Sequence, residues 1–397
     1  MKPNNSNKFS TADFNQKINN LIYFDNNATT ATDSEIIEEI FPLFKIPLNN
    51  SSIHQMGQNA QMLCEEARIN IKSALNANNY EVIFTSGASE ANNTIINGFL
   101  NNHNSQVETA FYSAIEHDSV YNVRPSNKDI VEIRVLESGE LDIENFETEI
   151  HQFKKLSPNK IFLASIMLAN SETGAIQDIK KIAKIVHSYQ GIIHCDISQG
   201  IAKINIDLED LNIDFATISG HKFYAPQGSG AILMRKGLDF KPLIYGGGQE
   251  KFKRAGTVNI ASIYGLGLAC KYCKKYLAKM PLINKYRDYL EDVMLKTASE
   301  KIKIFSKNTK RLGNTSYYSI KNSNNQSEII NFDLNKIMVS GGSACSSGTL
   351  HQSRVLRAMQ IKADFINGAI RISLGINNNA EEIDKFIEIW KKSLLKY

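Results

Sequence analysis

The 397-residue sequence predicts an α/β protein with a mainly parallel sheet in a large domain, joined to a smaller α+β domain. Two observations carry this prediction. From residue 80 to residue 235, short apolar runs alternate with helical patterns, as they do where helices cover both faces of a parallel sheet. After the glycine run Gly246-Gly247-Gly248 the alternation ends and a long helical stretch begins. The chain is long enough to build both domains.

Each apolar run predicts a strand and each amphipathic stretch a helix. In the first region the predicted strands span residues 81–85, 109–114, 160–168, 192–195, 214–219 and 230–235, and the helices span 89–100 and 179–189. In the second region we predict a helical stretch at 260–297, strands at 302–305, 315–320 and 369–373, and a terminal helix from residue 380. The large domain is placed at residues 25–258 and the small domain at 1–24 and 259–397. The segment up to Phe24 is expected to pack against the small domain.

The composition argues against several classes of function. A formal net charge of +4, dispersed along the chain, does not favour binding to nucleic acid or to a membrane surface. No apolar run reaches the length of a membrane-spanning helix, and the first twenty residues lack the apolar stretch of a secretory signal. We therefore expect a cytoplasmic protein.

The cysteine pattern does not predict a disulfide framework or a metal site. Cys270 and Cys273 lie three residues apart in a helical pattern without a second pair of this spacing, so we expect small core residues. Cys64 and Cys195 fall in helical or apolar patterns and are expected to be inert. Only the fifth, Cys345, lies in a different setting.

Two buried strands end in polar residues that suit one cofactor. The run at 192–195 leads into Asp196 and Gln199, and the run at 214–219 leads into His221 and Lys222. Strand ends are where α/β sheets hold ligands. Pyridoxal phosphate needs a lysine for a Schiff base and a carboxylate to keep its ring nitrogen protonated. For this pair alone, a salt-bridged surface lysine and a helix-capping aspartate are an equal alternative.

A helix N-terminus for the phosphate of this cofactor is predicted after the first strand. Ser86-Gly87-Ala88-Ser89-Glu90 combines a glycine turn with backbone N–H groups that face an anion. A plain capping box is the competing interpretation. Ser219 and His221 could donate further hydrogen bonds to the phosphate. The loop Arg254-Ala255-Gly256-Thr257 adds a charge and a hydroxyl group.

Two further strand ends carry residues that suit the cofactor ring. His117, in Glu116-His117-Asp118, could stack on a flat ring and exchange protons near neutral pH, although a lone histidine at a strand end is more often structural. Asn170 follows the apolar run that ends at residue 169. Its neutral amide could hold the phenolic oxygen of the cofactor or the substrate.

Near the C-terminus, one cysteine and one arginine have the chemistry for a sulfur-containing amino acid. Cys345 lies within Ser340-Gly341-Gly342-Ser343-Ala344-Cys345-Ser346-Ser347-Gly348, a composition typical of a solvated loop in which a thiol can ionise and move. An idle exposed cysteine is the alternative. Arg371, on a predicted strand, could clamp an amino-acid carboxylate in a bidentate manner.

Together these residues resemble the cysteine desulfurases, in the subgroup whose active cysteine lies on a long loop. The resemblance covers the chain from Tyr23 onward. The matching pieces follow the family's order: Phe24 to Thr30, Asn49 to His54, Ser86 to Glu90, Glu116-His117, His194-Cys195-Asp196, Ser219 to Lys222, Arg254 to Thr257, Ser343-Ala344-Cys345 and Arg371 to Gly375. Three positions depart from the family's pattern: Asn50 replaces proline, Ser89 replaces threonine and Ser171 replaces a second asparagine.

The resemblance implies fold type I of the pyridoxal phosphate enzymes, with a mainly parallel seven-stranded sheet, in a homodimer. It also implies a role for each matched residue. Lys222 would form the Schiff base, Asp196 would pair with the ring nitrogen, and His117 would stack on the ring. The remaining cofactor contacts would be Gln199 and Asn170 near the phenolic oxygen, and Ala88, Ser89, Ser219, His221 and, from the other subunit, Thr257 at the phosphate. Arg371 and Asn170 would bind the substrate carboxylate.

The implied reaction converts L-cysteine to L-alanine. Cys345 would take the sulfur as a persulfide and deliver it to an acceptor, for iron–sulfur cluster assembly or for thiolation. The chain ends soon after its last helix, which puts a partnership with a scaffold protein in doubt. A selenocysteine lyase, an aminotransferase of the same fold and a non-catalytic scaffold are the alternatives. A transaminase has no use for a mobile cysteine, and a scaffold would not need Lys222.

Overall fold

The structure is a computed structural model that describes residues 21–100, 107–125, 128–342 and 352–395. Its strands are short and follow the apolar runs of the sequence. They are β1 Ile22–Tyr23, β2 Tyr80–Thr85, β3 Val107–Ser113, β4 Asp129–Ile133, β5 Ile161–Ser165, β6 Ile192–Asp196, β7 Phe215–Ser219, β8 Gly230–Arg235, β9 Ile302–Ile304, β10 Thr315–Ile320, β11 Ile337–Met338 and β12 Ala369–Ser373.

Helices separate most of these strands along the chain. They are α1 Ser34–Ile40, α2 Gln55–Ala74, α3 Ala88–Leu100, α4 Asp118–Tyr121, α5 Ile143–Leu156, α6 Ile179–Ser188, α7 Leu208–Leu211, α8 Ile260–Lys271, α9 Cys273–Ala298, α10 Asn325–Leu334, α11 Arg354–Ala358, α12 Ala363–Ile366 and α13 Ala380–Leu394. Short 3-10 helices occupy Phe41–Lys45, Gly220–Lys222 and Gln249–Phe252. No helix in the described ranges is long and apolar enough to cross a membrane.

The central sheet has seven strands in the order β2-β8-β7-β6-β5-β3-β4. Strands β4, β3, β5, β6 and β7 run parallel, whereas β8 is antiparallel to both of its neighbours. Almost every residue of β6 and β7 is buried, which explains why these strands are continuous apolar runs. The predicted mainly parallel seven-stranded sheet is confirmed. The carboxyl ends of its parallel strands meet at one edge.

Helices cover both faces of this sheet. Helix α6 begins where Asp178 accepts a hydrogen bond from the backbone N–H of Lys181, and it buries the stripe formed by Ile179, Ile182 and Val186. Helices α2 and α8 pack closely on the same side. A Cβ atom added to Gly267 would lie 2.5 Å from Ala67 Cα, so only glycine permits this approach of the two backbones.

The second half of the chain builds a smaller α+β unit. Strands β12, β10 and β9 form an antiparallel sheet, and β1 pairs with β11 in parallel. The side chain of Phe24 lies fully buried in the core of this unit, against Phe386. Of the segment expected to pack against the small domain, residues 22–24 therefore do so. Residues 1–20 lie outside the described residues.

The two hydrophobic cores bear on the position of the boundary between the large and the small unit. The core of the large unit includes residues from Ile260 to Tyr276, and the core of the small unit takes residues of α9 from Ile283 onward. These cores meet within α9, beyond the predicted boundary at residue 258. The division of the chain into domains stays a prediction.

Several elements differ from the sequence-based expectation. The strand predicted at 160–168 is regular only over Ile161–Ser165, although the backbone N–H groups of Ile166 and Leu168 still donate to the carbonyl oxygens of His194 and Asp196. The helical stretch at 260–297 breaks at Tyr272 into α8 and α9. Strand β4 and helix α5 were not predicted. The cysteines beside the break, Cys270 and Cys273, are buried in the core as expected.

Candidate active site

A cavity of about 450 Å³ opens at the carboxyl ends of the parallel strands. Residues from the ends of β2, β6 and β7, and from the turn after β3, line it together. Its lining includes nearly all of the predicted cofactor residues: Ala88, Ser89, His117, Asp196, Gln199, Ser219, His221 and Lys222. The sequence thus identified a set of residues that the fold brings into one place.

Lys222 enters the cavity from the 3-10 turn that follows β7. Its Nζ atom lies 2.8 Å from the backbone carbonyl oxygens of both Asn27 and Ala28. Asp196 ends the neighbouring strand β6, with 8% of its surface exposed. The backbone N–H of Ser198 donates to Asp196 Oδ1 over 2.9 Å, which fixes the carboxylate. The lysine and the acid therefore face one cavity, as two adjacent strand ends require.

The N-terminus of α3 forms the anion-binding end of the cavity. Backbone N–H groups in the first turn of a helix have no intrahelical partner and attract negative charge. A Cβ atom added to Gly87 would lie 3.6 Å from Ser219 Oγ, so Gly87 and this hydroxyl group border the same end of the cavity. Glu90 accepts hydrogen bonds from Ser86 and from Arg254, and these bonds lower the pKa of its carboxyl group against the opposing effect of burial.

Both histidines of the cavity have a defined ring orientation. His117 Nδ1 accepts a hydrogen bond from the backbone N–H of Ser119 over 3.1 Å. His221 Nδ1 lies 3.1 Å from Thr29 Oγ1. Burial and, to a smaller extent, the positive charge of Lys222 lower the pKa of His221 to about 4, so this ring is neutral. A neutral imidazole can still donate one hydrogen bond to an anion.

Two residues that the sequence analysis missed, Lys203 and Asn27, fix the position of Gln199 in the lining of this cavity. Lys203 Nζ donates to Gln199 Oε1 over 2.7 Å and to Asn27 Oδ1 over 3.1 Å. Gln199 Nε2 in turn donates to the carbonyl oxygen of Asn27. The charged residue in the otherwise apolar run Gly200-Ile201-Ala202-Lys203 was the available signal, because lysine is rarely buried without a specific partner.

A small second cavity adjoins the first on the side of the small domain. His117, Asn170, Lys222 and Arg371 all line it. Asn170 Oδ1 accepts hydrogen bonds from the backbone N–H groups of Glu172 and Thr173, so the amide also shapes its own turn. This position leaves Asn170 beside both the lysine and the arginine.

Arg371 is almost fully buried, and its guanidinium group is already engaged. It lies 2.6 Å from Asp25 Oδ1 and donates to the carbonyl oxygens of Gly342 and Ser171. Its Nε atom is buried without a hydrogen-bond partner among the described residues. A carboxylate that reached this arginine would have to share it with Asp25.

Of the two remaining predicted residues, the structure describes only Thr257. Thr257 lines a neighbouring cavity together with Ser86, Gly228 and Arg254. Cys345, with the rest of Ser343 to Ser347, lies outside the described residues, which resume at Gln352.

The residues present fit pyridoxal phosphate. A primary amine, a fixed carboxylate, an imidazole and a helix N-terminus surround one cavity, and a Cβ atom at Gly87 would narrow its anion-binding end. These groups match the aldehyde, the ring nitrogen, the ring face and the phosphate of that cofactor. On a mainly parallel sheet of this order, they define the class of fold-type I pyridoxal phosphate enzymes.

The family model of the class-V aminotransferases matches residues 22–386, so the chain belongs to the class-V aminotransferase family. The chain is similar to a cysteine desulfurase IscS of Dictyoglomus turgidum, at 33% identity over 94% of this chain and 95% of that protein. It is 36% identical to a cysteine desulfurase of Bradyrhizobium diazoefficiens, over 92% of each protein. A solved NifS-like protein from Rickettsia africae superposes with a TM-score of 0.85 at 36% identity, covering 94% of this chain and 99% of that one. The resemblance to the cysteine desulfurases is confirmed.

Proposed function

We propose that the protein is a pyridoxal-phosphate-dependent cysteine desulfurase that converts L-cysteine to L-alanine. The observation that supports this most is the placement of Lys222 and Asp196 around one cavity, in a chain that aligns over nearly its whole length with desulfurases. A fold of this kind supports several chemistries, so the proposal rests on the site residues together with the relatives.

Pyridoxal phosphate, when bound, supplies an electron sink for negative charge at the substrate Cα atom. Lys222 would hold the cofactor, and its amine would remove the Cα proton of the substrate. Asp196 would hold the proton of the ring nitrogen, and His117 would cover the ring. Gln199 and Asn170 would contact the phenolic oxygen, while Ala88, Ser89, Ser219 and His221 would bind the phosphate.

The sulfur transfer needs a nucleophilic thiolate and a held substrate. Arg371 and Asn170 bind the substrate carboxylate, the former by exchanging part of its contact with Asp25. Cys345, as the thiolate, attacks the substrate sulfur. The new S–S bond forms as the C–S bond breaks, and the electron pair left on carbon takes up a proton to give the methyl group of alanine. Cys345 then carries a persulfide for a sulfur-acceptor protein.

The exposed apolar surface supports a homodimer. Large side chains stand exposed along α1, the 3-10 helix after it, the turn before α2, α2 itself and the segment at 243–252. They are Ile37, Phe41, Phe44, Ile53, Met62, Ile69, Tyr245 and Phe252. Side chains from α2 and the segment at 248–251 line one groove of about 730 Å³, so these parts of the surface are adjacent. A second copy of the chain would cover them and would bring Thr257 of the partner subunit to the phosphate.

We place the enzyme in the cytoplasm, with a transient sulfur-acceptor protein as its partner. The acceptor serves iron–sulfur cluster assembly or thiolation. The division into a large domain at 25–258 and a small domain at 1–24 and 259–397 belongs to the same proposal.

The deciding experiment measures alanine and sulfide release from L-cysteine in the presence of a reducing thiol. We expect release by the wild type and its loss in Cys345→Ser, while the yellow cofactor stays bound. Cys273→Ala, which removes a buried thiol, is the control and should keep the activity. Equal release by the wild type and Cys345→Ser would remove Cys345 from the mechanism. A wild type that binds the cofactor and leaves cysteine untouched would refute the proposed substrate.

A further inference from the structure

A buried chain of hydrogen bonds runs behind the cavity and ends on two groups that face the cofactor ring. It begins at Ser165, the last residue of β5, and at His194 on β6. From there it continues through Thr217 of β7 to Asn92 of α3. From Asn92 it reaches Asp196 and, through another residue, the ring of His117. The members that do not line the cavity have no role in the mechanism above.

The direction of each bond in this chain follows from the groups it joins. Burial lowers the pKa of His194 to about 4, against the opposing charge of Asp196, so the ring is neutral and carries one proton. Thr217 Oγ1 lies 2.5 Å from Asn92 Oδ1, an acceptor, so the hydroxyl donates there. Its oxygen can then accept from His194 Nε2, 3.2 Å away, and His194 Nδ1 accepts from the hydroxyl of Ser165 over 2.8 Å.

The amide of Asn92 is therefore oriented from behind. With its oxygen occupied by Thr217, its Nδ2 atom points forward and has two hydrogens to give. One reaches Asp196 Oδ2 and the other reaches Ser119 Oγ, each over 2.9 Å. Asn92 is fully buried, so no water competes for either hydrogen.

The second of these bonds determines the state of His117. Ser119 Oγ accepts from Asn92 and lies 2.8 Å from His117 Nδ1, to which its hydroxyl donates. The backbone N–H of Ser119 also donates to this nitrogen, so Nδ1 is unprotonated and the ring proton lies on Nε2. One amide thus acts on the carboxylate and on the imidazole at once.

We propose that Asn92 is a positioning residue whose single amide sets the Asp196 carboxylate and, through Ser119, the imidazole of His117 for the cofactor ring. This inference rests on the proposed cofactor. The hydrogen bond from Asn92 reaches one oxygen of Asp196 and the backbone N–H of Ser198 reaches the other, so the carboxylate is held in one orientation. An ionised carboxylate in a fixed orientation is what keeps a pyridine nitrogen protonated.

The test compares Asn92→Ala and Thr217→Val with the wild-type holoenzyme. Thr217→Val keeps the shape of the side chain but releases the oxygen of Asn92, so its amide loses its fixed direction. Asn97→Ala is the matched control, because Asn97 lies on the same helix and its amide donates to the backbone carbonyl of Asn93. Thermal unfolding shows that each variant is folded, and titration of cofactor-free protein with pyridoxal phosphate gives the dissociation constant.

We expect Asn92→Ala to weaken cofactor binding about tenfold or more, which is the usual effect of losing a hydrogen bond to a buried charge. With ¹⁵N-labelled cofactor, the ring nitrogen should be protonated in the wild type and the control, and less so in Asn92→Ala. Thr217→Val should change both quantities in the same direction, to a smaller extent. The kcat for cysteine should fall while KM changes little, because Arg371 is untouched.

Unchanged affinity and an unchanged ring-nitrogen signal in both variants would overturn the assignment, while the proposed function would stand. If Asn92→Ala does not fold, Thr217→Val decides alone by the same two signals. A wild type that does not bind pyridoxal phosphate would refute the proposed function and this inference with it.

Discussion

Replacing Lys203 by methionine should change how the stability of the protein depends on pH. Burial lowers the pKa of the Lys203 ammonium well below its ordinary value of 10.5, and the charges of Lys222 and Arg371 lower it further. As a neutral amine, Lys203 has two hydrogens for its two acceptors, the side-chain oxygens of Gln199 and Asn27. Methionine has nearly the same shape, cannot be protonated and donates no hydrogen bond.

The sign and size of the effect follow from proton linkage. Between the lowered pKa and 10.5, the unfolded chain holds a proton on Lys203 that the folded protein does not. Unfolding takes up this proton, so its free energy rises with pH, by about 1.4 kcal/mol per pH unit for one full proton. The variant lacks this contribution. The stability of the wild type relative to Lys203→Met should therefore increase by that amount for each unit of pH.

Denaturant unfolding of cofactor-free protein at several values between about pH 7 and pH 9 measures this slope. Lys184→Met serves as the control, because Lys184 is an exposed lysine of α6 and its removal should leave the slope unchanged. If wild type and Lys203→Met give parallel curves, Lys203 is charged in the folded protein, and the account of a neutral amine that orients Gln199 is wrong.

Three other substitutions or treatments have defined outcomes. The guanidinium group of Arg354 stacks 3.8 Å from the centre of the Tyr121 ring and donates to backbone carbonyls of the turn before His117. Arg354→Ala should therefore destabilise the protein by about 1–3 kcal/mol in thermal unfolding. Arg357→Ala, on the exposed side of α11, is the control and should not. Gly267→Ala should lower the free energy of unfolding by about 1–3 kcal/mol, because the added Cβ atom would meet the backbone of α2. Alkylation of the native protein should modify one thiol rapidly and none in Cys345→Ser, because the other cysteines are buried.

The sequence predicted the parts of the fold that have strong local signals. Strands β6 and β7 are short, uninterrupted apolar runs that end in polar residues, and such runs are typical of the centre of a parallel sheet. Strand β4 escaped prediction because it lies at the edge of the sheet, where half-exposed residues blur the apolar pattern. The break at Tyr272 escaped for a different reason, since no glycine or proline lies between Ala269 and Met280 to mark it in the sequence.

In the candidate site the sequence predicted residues with distinctive chemistry and missed residues that position them. Lys222, Asp196 and His117 were found because their side chains have distinctive chemistry at strand ends. Asn92 was not, because an asparagine inside a helix is ordinary in sequence and becomes informative only when Asp196 and Ser119 are seen to share its amide. Support of this kind depends on contacts between residues far apart in the chain, which a single sequence does not display.

Asn27 shows how such support can join the two units of the fold. Its carbonyl oxygen accepts from Lys222 and Gln199, and its side-chain oxygen accepts from Lys203, so one end of the residue belongs to the cavity. Its backbone N–H and its Nδ2 atom donate to Ser373 Oγ and Thr315 Oγ1 on the strands of the small unit. A buried asparagine with all of these groups engaged cannot shift without breaking several hydrogen bonds at once. A movement of the small unit would therefore either keep the hydrogen bonds of Asn27 to Ser373 and Thr315 or displace the carbonyl oxygen of Asn27 that accepts from Lys222.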